Sequence, residues 1–148
     1  MTIKQLSIFL ENAPGRVLET ARVFGEAGIN VKALVLAGAN GFGVLRLLVS
    51  DLHKARNIAM EHRWPARVDE VLAVRIPDRP GSLAALLTPL YEQNIDVEFM
   101  YPFTGFSPSE AVLIFGFKDV AEAARVLRSN NADLIGAEEI RALENEGR

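Results

Sequence analysis

Asn12-Ala13-Pro14-Gly15 returns as Asp78-Arg79-Pro80-Gly81, 66 residues further on from Pro14 to Pro80. At the same spacing Glu26, Ile29 and Val31 meet Glu92, Ile95 and Val97. Beyond them Val44-Leu45 matches Val112-Leu113, and Asp51 and Ala55 match Asp119 and Ala123, now 68 residues apart. The two added residues fall around Gly105–Ser109, against the shorter Gly38–Gly41 of the first copy. Matches within periodic segments, with an insertion at a turn, mark a duplicated fold.

Both copies read in one order. Ile3–Leu10, dense in aliphatic and β-branched residues, is a strand. Pro14 suits a first helical position, where its missing N–H is not needed. Val17, Leu18, Ala21 and Phe24 follow at helical spacing, and Gly28 ends the helix. Ile29–Ala37 is a second strand, Ala39-Asn40-Gly41 a tight turn and Phe42–Ser50 a third strand. Asp51 caps a second helix with Leu52, Ala55, Ile58 and Ala59 on one side. Pro65 breaks it, and Arg67–Glu70 supplies a short fourth strand. The second copy repeats this as Val71–Ile76, Pro80–Gln93, Ile95–Pro102, Ala111–Phe117, Val120–Ser129 and a last strand over Leu134–Ile140. The order βαββαβ, twice, predicts an α+β protein of two ferredoxin-like sandwiches, residues 1–70 and 71–148. Each is expected to be an antiparallel sheet with helices on one face. No Gly/Ser linker marks the join near residue 70, so the two copies are expected to share a continuous strand.

The remaining composition narrows the function. Of the 148 residues, 49% are hydrophobic and 24% charged, which fits a folded chain rather than a disordered one. No apolar run approaches the roughly 20 residues that span a bilayer, so no membrane association is expected. Met1–Leu10 lacks a basic cluster and Glu11 interrupts its apolar run, so a secretory signal is not expected. The absence of Cys excludes disulfides, thiolate metal sites and cysteine nucleophiles, and leaves the cytoplasm as the default compartment. The net charge of −3 divides unevenly. Residues 1–70 carry nine basic and seven acidic side chains, and 71–148 carry seven and twelve. No basic stripe is available to neutralise phosphates, so nucleic acid is not an expected partner.

Strand patterning points to a covered second face. Val31, Ala33, Val35 and Ala37 point one way and Leu34 and Leu36 the other, while Val112 and Ile114 oppose Leu113, Phe115 and Phe117. Apolar residues on both faces predict that the helix-free face meets another protein surface, as in a homodimer. The alternative is an extra helix or tail folded over the sheet.

The repeated Pro-Gly turn is the strongest chemical signal. The amides after Pro14, at Gly15, Arg16 and Val17, lie at a helix start, where orphan N–H groups and the helix dipole favour an anion. Glycine leaves room for a ligand carboxylate, and Asn12 and Asp78 offer polar side chains to an ammonium or hydroxyl. The same residues also serve simply to start and cap a helix. Asn30 and Asp96, opening the second strand of each copy, are a second polar point, or turn residues bonded to local backbone. Phe99, Tyr101, Phe103 and Phe106 wall an apolar side-chain pocket, or belong to core or interface. His53 and His62, nine apart with no ligand-spaced carboxylate, read as exposed helix residues rather than a metal site. Arg16 and Arg79 flank the turns and fit either a ligand carboxylate or a surface salt bridge. Gly38-Ala39-Asn40-Gly41-Phe42-Gly43 has the wrong order for a nucleotide loop and precedes a strand. No nucleophile–base pair, close carboxylate dyad or apolar lysine pocket stands out, so neither an enzyme nor a cofactor is expected.

The paired turns, with Gly28-Ile29-Asn30-Val31 and Asn94-Ile95-Asp96-Val97 after them, resemble a pair of ACT domains. The likeness covers roughly residues 3–141, and with no catalytic domain attached it is similar to stand-alone tandem ACT proteins. Val97-Glu98-Phe99-Met100-Tyr101 and Ala111-Val112-Leu113-Ile114-Phe115 resemble the second repeat of that group. The resemblance implies a regulatory module that binds an amino acid at an interface between units and signals to a metabolic enzyme or regulator in trans. It implies a grip from one unit's strand–helix turn, completed by the start of a neighbour's second strand. By position the first grip is Asn12, Ala13, Pro14, Gly15, Arg16, Val17 and Leu18, completed by Asn30 and Val31. The second is Asp78, Arg79, Pro80, Gly81, Ser82 and Leu83, with Asp96, Val97 and Tyr101. Asp at both polar positions of the second copy would attract an ammonium and repel a carboxylate, which sets the two seats apart.

Overall fold

The computed structural model describes residues 2–103 and 109–146. Alternation along β1 (Ile3–Glu11) sends Leu6, Ile8 and Leu10 into a core beneath α1 (Arg16–Glu26) and α2 (Leu52–Glu61). β2 (Val31–Ala39) and β3 (Phe42–Val49) form a hairpin closed by Asn40 and Gly41, both left-handed at φ 55° and 84°. Two positive φ values in a two-residue loop define the turn whose twist matches paired strands, and Asn-Gly is its preferred sequence. Leu45 and Leu47 of β3 lie opposite Ile8 and Leu6, which completes the apolar layer around Phe24.

β4 (Ala66–Pro77) runs without a break through the join of the two copies, as expected. It is the last strand of the first copy and the first strand of the second. Then come α3 (Ser82–Glu92), β5 (Phe99–Pro102), β6 (Glu110–Gly116), α4 (Val120–Ser129), β7 (Asp133–Ile135) and α5 (Ala137–Glu146). Strand order is β2-β3-β1-β4 in the first copy and β5-β6-β4-β7 in the second, so the two have one topology. Chain contacts divide into two compact units, Lys4–Asp69 and Glu70–Arg148 with Met1–Ile3. In the second, Leu72, Val74, Leu86, Phe115 and Leu127 form the core between sheet and helices. The α+β class with two ferredoxin-like antiparallel units therefore stands as read.

The duplication extends to backbone detail. Gly28 and Asn94 end α1 and α3 in the left-handed conformation, at φ 76° and 58°. The next amides, Ile29 and Ile95, reach back to Phe24 and Leu90 carbonyls at 2.9 Å in both copies, the bonding of a left-handed helix cap. Asp51 and Asp119 cap α2 and α4 by accepting from the Lys54 and Glu122 amides, each at 3.0 Å. Asp51→Ala or Asp119→Ala is expected to lose about 1 kcal/mol in urea unfolding, and Asn at either position to retain most of it.

Three expectations differ from the structure. The last segment is a strand only over Asp133–Ile135, and Ala137–Glu146 is helical. Glu138 and Glu139 sit in the first turn of α5, where carboxylates favour the helix dipole, and the Ile140 amide donates to the Gly136 carbonyl at 3.1 Å. Strand β2 opens at Val31 rather than Ile29, and β5 at Phe99 rather than Ile95. Pro14 is not the first helical residue, because α1 begins at Arg16.

Helix α5 is tied to the second sheet through Arg75. Arg75 lies in register with Val112 and Asp133, on the face opposite the α3–α4 core. Its guanidinium meets Glu139 of α5 at 3.5 Å, and Ile140 beside it is buried. Ala73, Val112 and Ile114 on this face are buried within the chain.

Candidate functional site

Ala13-Pro14-Gly15-Arg16 is a hydrogen-bonded turn: the Arg16 amide donates to the Ala13 carbonyl at 3.3 Å. Gly15 has φ 85° and ψ −6°. Proline second and a left-handed glycine third make this a type II turn. Arg79-Pro80-Gly81-Ser82 repeats it, with Ser82 to Arg79 at 3.3 Å and Gly81 at φ 89° and ψ −16°. Proline therefore works one step earlier than at a helix start, and glycine is needed for its backbone as well as for room.

Each turn leaves an open helix end. The first intrahelical bonds are Glu19 N–H to Gly15 C=O, 2.9 Å, and Ala85 N–H to Gly81 C=O, 3.0 Å. Before them come the amides of Val17 and Leu18, and of Leu83 and Ala84, the donors that no helix satisfies internally. A Cβ built on Gly15 or Gly81 meets no atom within 4 Å, so open space stands over both turns. Leu18 is 66% exposed and Leu83 39%. Asn12, Asp78, Arg79, Pro14 and Pro80 are exposed too, and Ala13, Val17 and Ser82 half-buried. Arg16 pairs with Glu11 and Glu19, each at 3.6 Å, the surface salt bridge read as its alternative role.

The second-strand residues lie elsewhere in each unit. The Asn30 amide donates to Ser50 Oγ, and the Ser50 amide donates to the Asn30 carbonyl, both at 2.9 Å. Its side chain is exposed and Val31 half-buried. Asp96 lines a depression of about 800 Å³ with Lys118 and Asp119. Ser82 lines a separate one of about 570 Å³. The turn and strand-two residues of the second copy are thus not joined in one cavity, and Val97 packs at the edge of the core.

The aromatic residues divide. Tyr101 is buried at 3% exposure, opposite Ile114, and Phe103 is buried beside the end of β5. Phe99 lies across Gly116, where any Cβ would strike its ring. Phe106 lies outside the described residues. His62 stacks on Trp64 at 4.8 Å between ring centres, and His53 is exposed near Asn57. Among the described residues, no group of three His, Asp or Glu side chains is placed to hold a metal ion, and no helix is long and apolar enough to cross a membrane. Sequence reasoning passed over Arg75, which gathers Glu110, Asp133 and Glu139 at 3.2, 3.5 and 3.5 Å. Those partners are 35 to 64 positions away, so no local signal announces the cluster.

Comparison with known proteins agrees with this architecture. The family model described as an ACT domain pair matches residues 1–144. Among solved structures, protein BT0572 from Bacteroides thetaiotaomicron is 33% identical, covering 95% of this chain and 96% of its own, with a TM-score of 0.86. The regulatory subunit of aspartate kinase from Thermus thermophilus has a TM-score of 0.60 at 13% identity, over 86% of this chain and 91% of its own. At that identity the second likeness concerns the fold. Comparison with curated proteins finds no match. A duplicated βαββαβ chain with a type II Pro-Gly turn opening the first helix of each copy, matched from residue 1 to 144, belongs to the ACT domain family as a tandem pair.

Proposed function

We propose that this chain is a non-catalytic amino-acid-binding regulator of two ACT domains, residues 1–70 and 71–148. The ligand carboxylate is held at the strand–helix turn of one unit and its ammonium by the polar residue that precedes strand two of a neighbouring unit, Asn30 or Asp96. One observation carries the reading: both turns place helix-start amides, which the helix does not satisfy internally, beside glycines with open space around them, on a backbone only glycine adopts readily. The separation of turn and strand-two residues inside the second unit fits a seat that two units complete together. Binding shifts the packing of units only by the difference in ligand affinity between their arrangements. A metabolic enzyme or regulator in trans, in the cytoplasm, reads that shift.

A second reading is an assembly module that binds nothing small. It is favoured by Leu34 and Leu36 on edge strand β2, 49% and 50% exposed, and by Leu18. The same leucines suit a homodimer under either reading.

Substitution at the turns tests the proposal. Valine at Gly15 or Gly81 adds backbone strain of about 1–3 kcal/mol, so asparagine, which tolerates the left-handed region, is the cleaner replacement. Gly15→Asn and Gly81→Asn are expected to keep the unfolding midpoint within a few degrees while calorimetric titration with the bound amino acid loses at least one seat. Full retention of binding in the double variant would refute the turn as the grip.

A further inference from the structure

We propose that the second unit contains a ligand pocket of its own, between α3, α4 and the end of β4, that takes a small molecule with an aliphatic body and a cationic amine. The cavity of about 570 Å³ lies within the size range of small-molecule sites. Its floor is apolar, from Ile76, Leu86, Pro89 and Leu127, and its rim is polar, from Ser82, Asn131 and Asp133. It needs no neighbouring unit, and so differs from the seat between units proposed above.

The first unit shows why the space exists. Trp64 and Ala132 occupy one position of the duplicated fold. Each follows a left-handed residue, Arg63 at φ 57° and Asn131 at φ 62°. Each amide bonds an equivalent carbonyl, Trp64 to Ala59 at 2.9 Å and Ala132 to Leu127 at 3.0 Å. In the first unit the indole packs edge-on against Phe24 at 5.8 Å. In the second, Ala132 and Leu90 stand in place of Trp64 and Phe24, and the smaller Ala132 lines the cavity.

Three features set the charge of the occupant. Glu110 and Asp133 line the cavity beside Arg75, which pairs with both, so the sheet end of the cavity carries an excess of one negative charge. The equivalent positions of the first unit, Phe9, Phe42 and Pro65, carry no charge. Helix α4 ends at this wall, and its dipole adds negative potential there. Pro89 has no N–H to give the Ala85 carbonyl, its partner one turn earlier, and both residues face the cavity. A carbonyl without its helical donor, two carboxylates and a helix carboxy-terminus all suit an ammonium, and the leucines suit an alkyl chain.

The test uses the full chain and two probes of one shape, 3-methylbutylamine and 3-methylbutyrate, followed by amide NMR shifts. The amine is expected to move Leu86, Leu127, Asn131 and Ala132 saturably, with a dissociation constant of about 1 mM. The carboxylate is expected to leave them unmoved. Ala132→Trp, which restores the first unit's filling, should weaken the amine at least about tenfold, and Asp133→Asn should weaken it in a chain with unchanged packing. Gly15→Asn should have no effect, which separates this pocket from the seat between units. The proposal is overturned if the amine produces no saturable shift, if the carboxylate shifts the same amides equally, or if Asp133→Asn binds as the parent does.

Discussion

Phe115→Ala is expected to lower unfolding stability by about 3–5 kcal/mol, measured as a fall in the urea midpoint at constant slope. Phe115 is fully buried in β6, in register with Leu72 and Met100, and stacks on Phe117 at 6.0 Å. Its ring joins the sheet to Leu86 of α3 and Leu127 of α4 in one apolar layer. Truncation removes the ring's burial and leaves a void that strands held on both sides cannot close, so the cost lies at the upper end of core substitutions. A loss under about 1 kcal/mol would mean that this layer does not hold the unit together.

Phe24→Ala is expected to cost a similar amount, about 3–5 kcal/mol. Phe24 is 1% exposed, packs among Leu6, Ile8 and Leu45, and meets the Trp64 indole edge-on. The effect should be sharper than its equivalent in the second unit, Leu90→Ala, because an aromatic pair contributes about 0.5–1.5 kcal/mol beyond burial. The comparison of the two variants by urea unfolding therefore reads how far the duplicated cores have diverged.

Much of the fold is legible in the residues, because its signals are local and doubled. The Pro-Gly pairs, Asp51 and Asp119, and Asn40-Gly41 each act within four positions of themselves, and each does what its chemistry requires. The continuous strand through residue 70 follows from the missing linker. Leu134–Ile140 misleads because Leu134, Ile135 and Ile140 serve a strand and a helix equally. The acidic pair Glu138-Glu139, favourable at a helix start, decides the matter. Pro14 is misread as a helical residue because Pro at a helix start and Pro at the second position of a type II turn differ only in the glycine after it.

The site is less legible, for a physical reason. Open amides and left-handed glycines are backbone properties, and a four-residue motif reports them. Cavities depend on what is missing. The space beside Ala132 shows only by comparison with the indole at the same place in the other copy, and the charge around it comes from residues brought together by register. Spacing alone reveals neither.

Thermal unfolding of the intact chain against each of the twenty amino acids at millimolar concentration tests the central claim most directly. An amino acid at one hundred times its dissociation constant stabilises by about 2.7 kcal/mol, which for a chain of this length raises the midpoint by about 5–10 °C. A rise of that size with one or a few amino acids, lost in Gly15→Asn with Gly81→Asn, is the result predicted. A cooperative transition that none of the twenty moves would contradict the account and leave the assembly module as the reading.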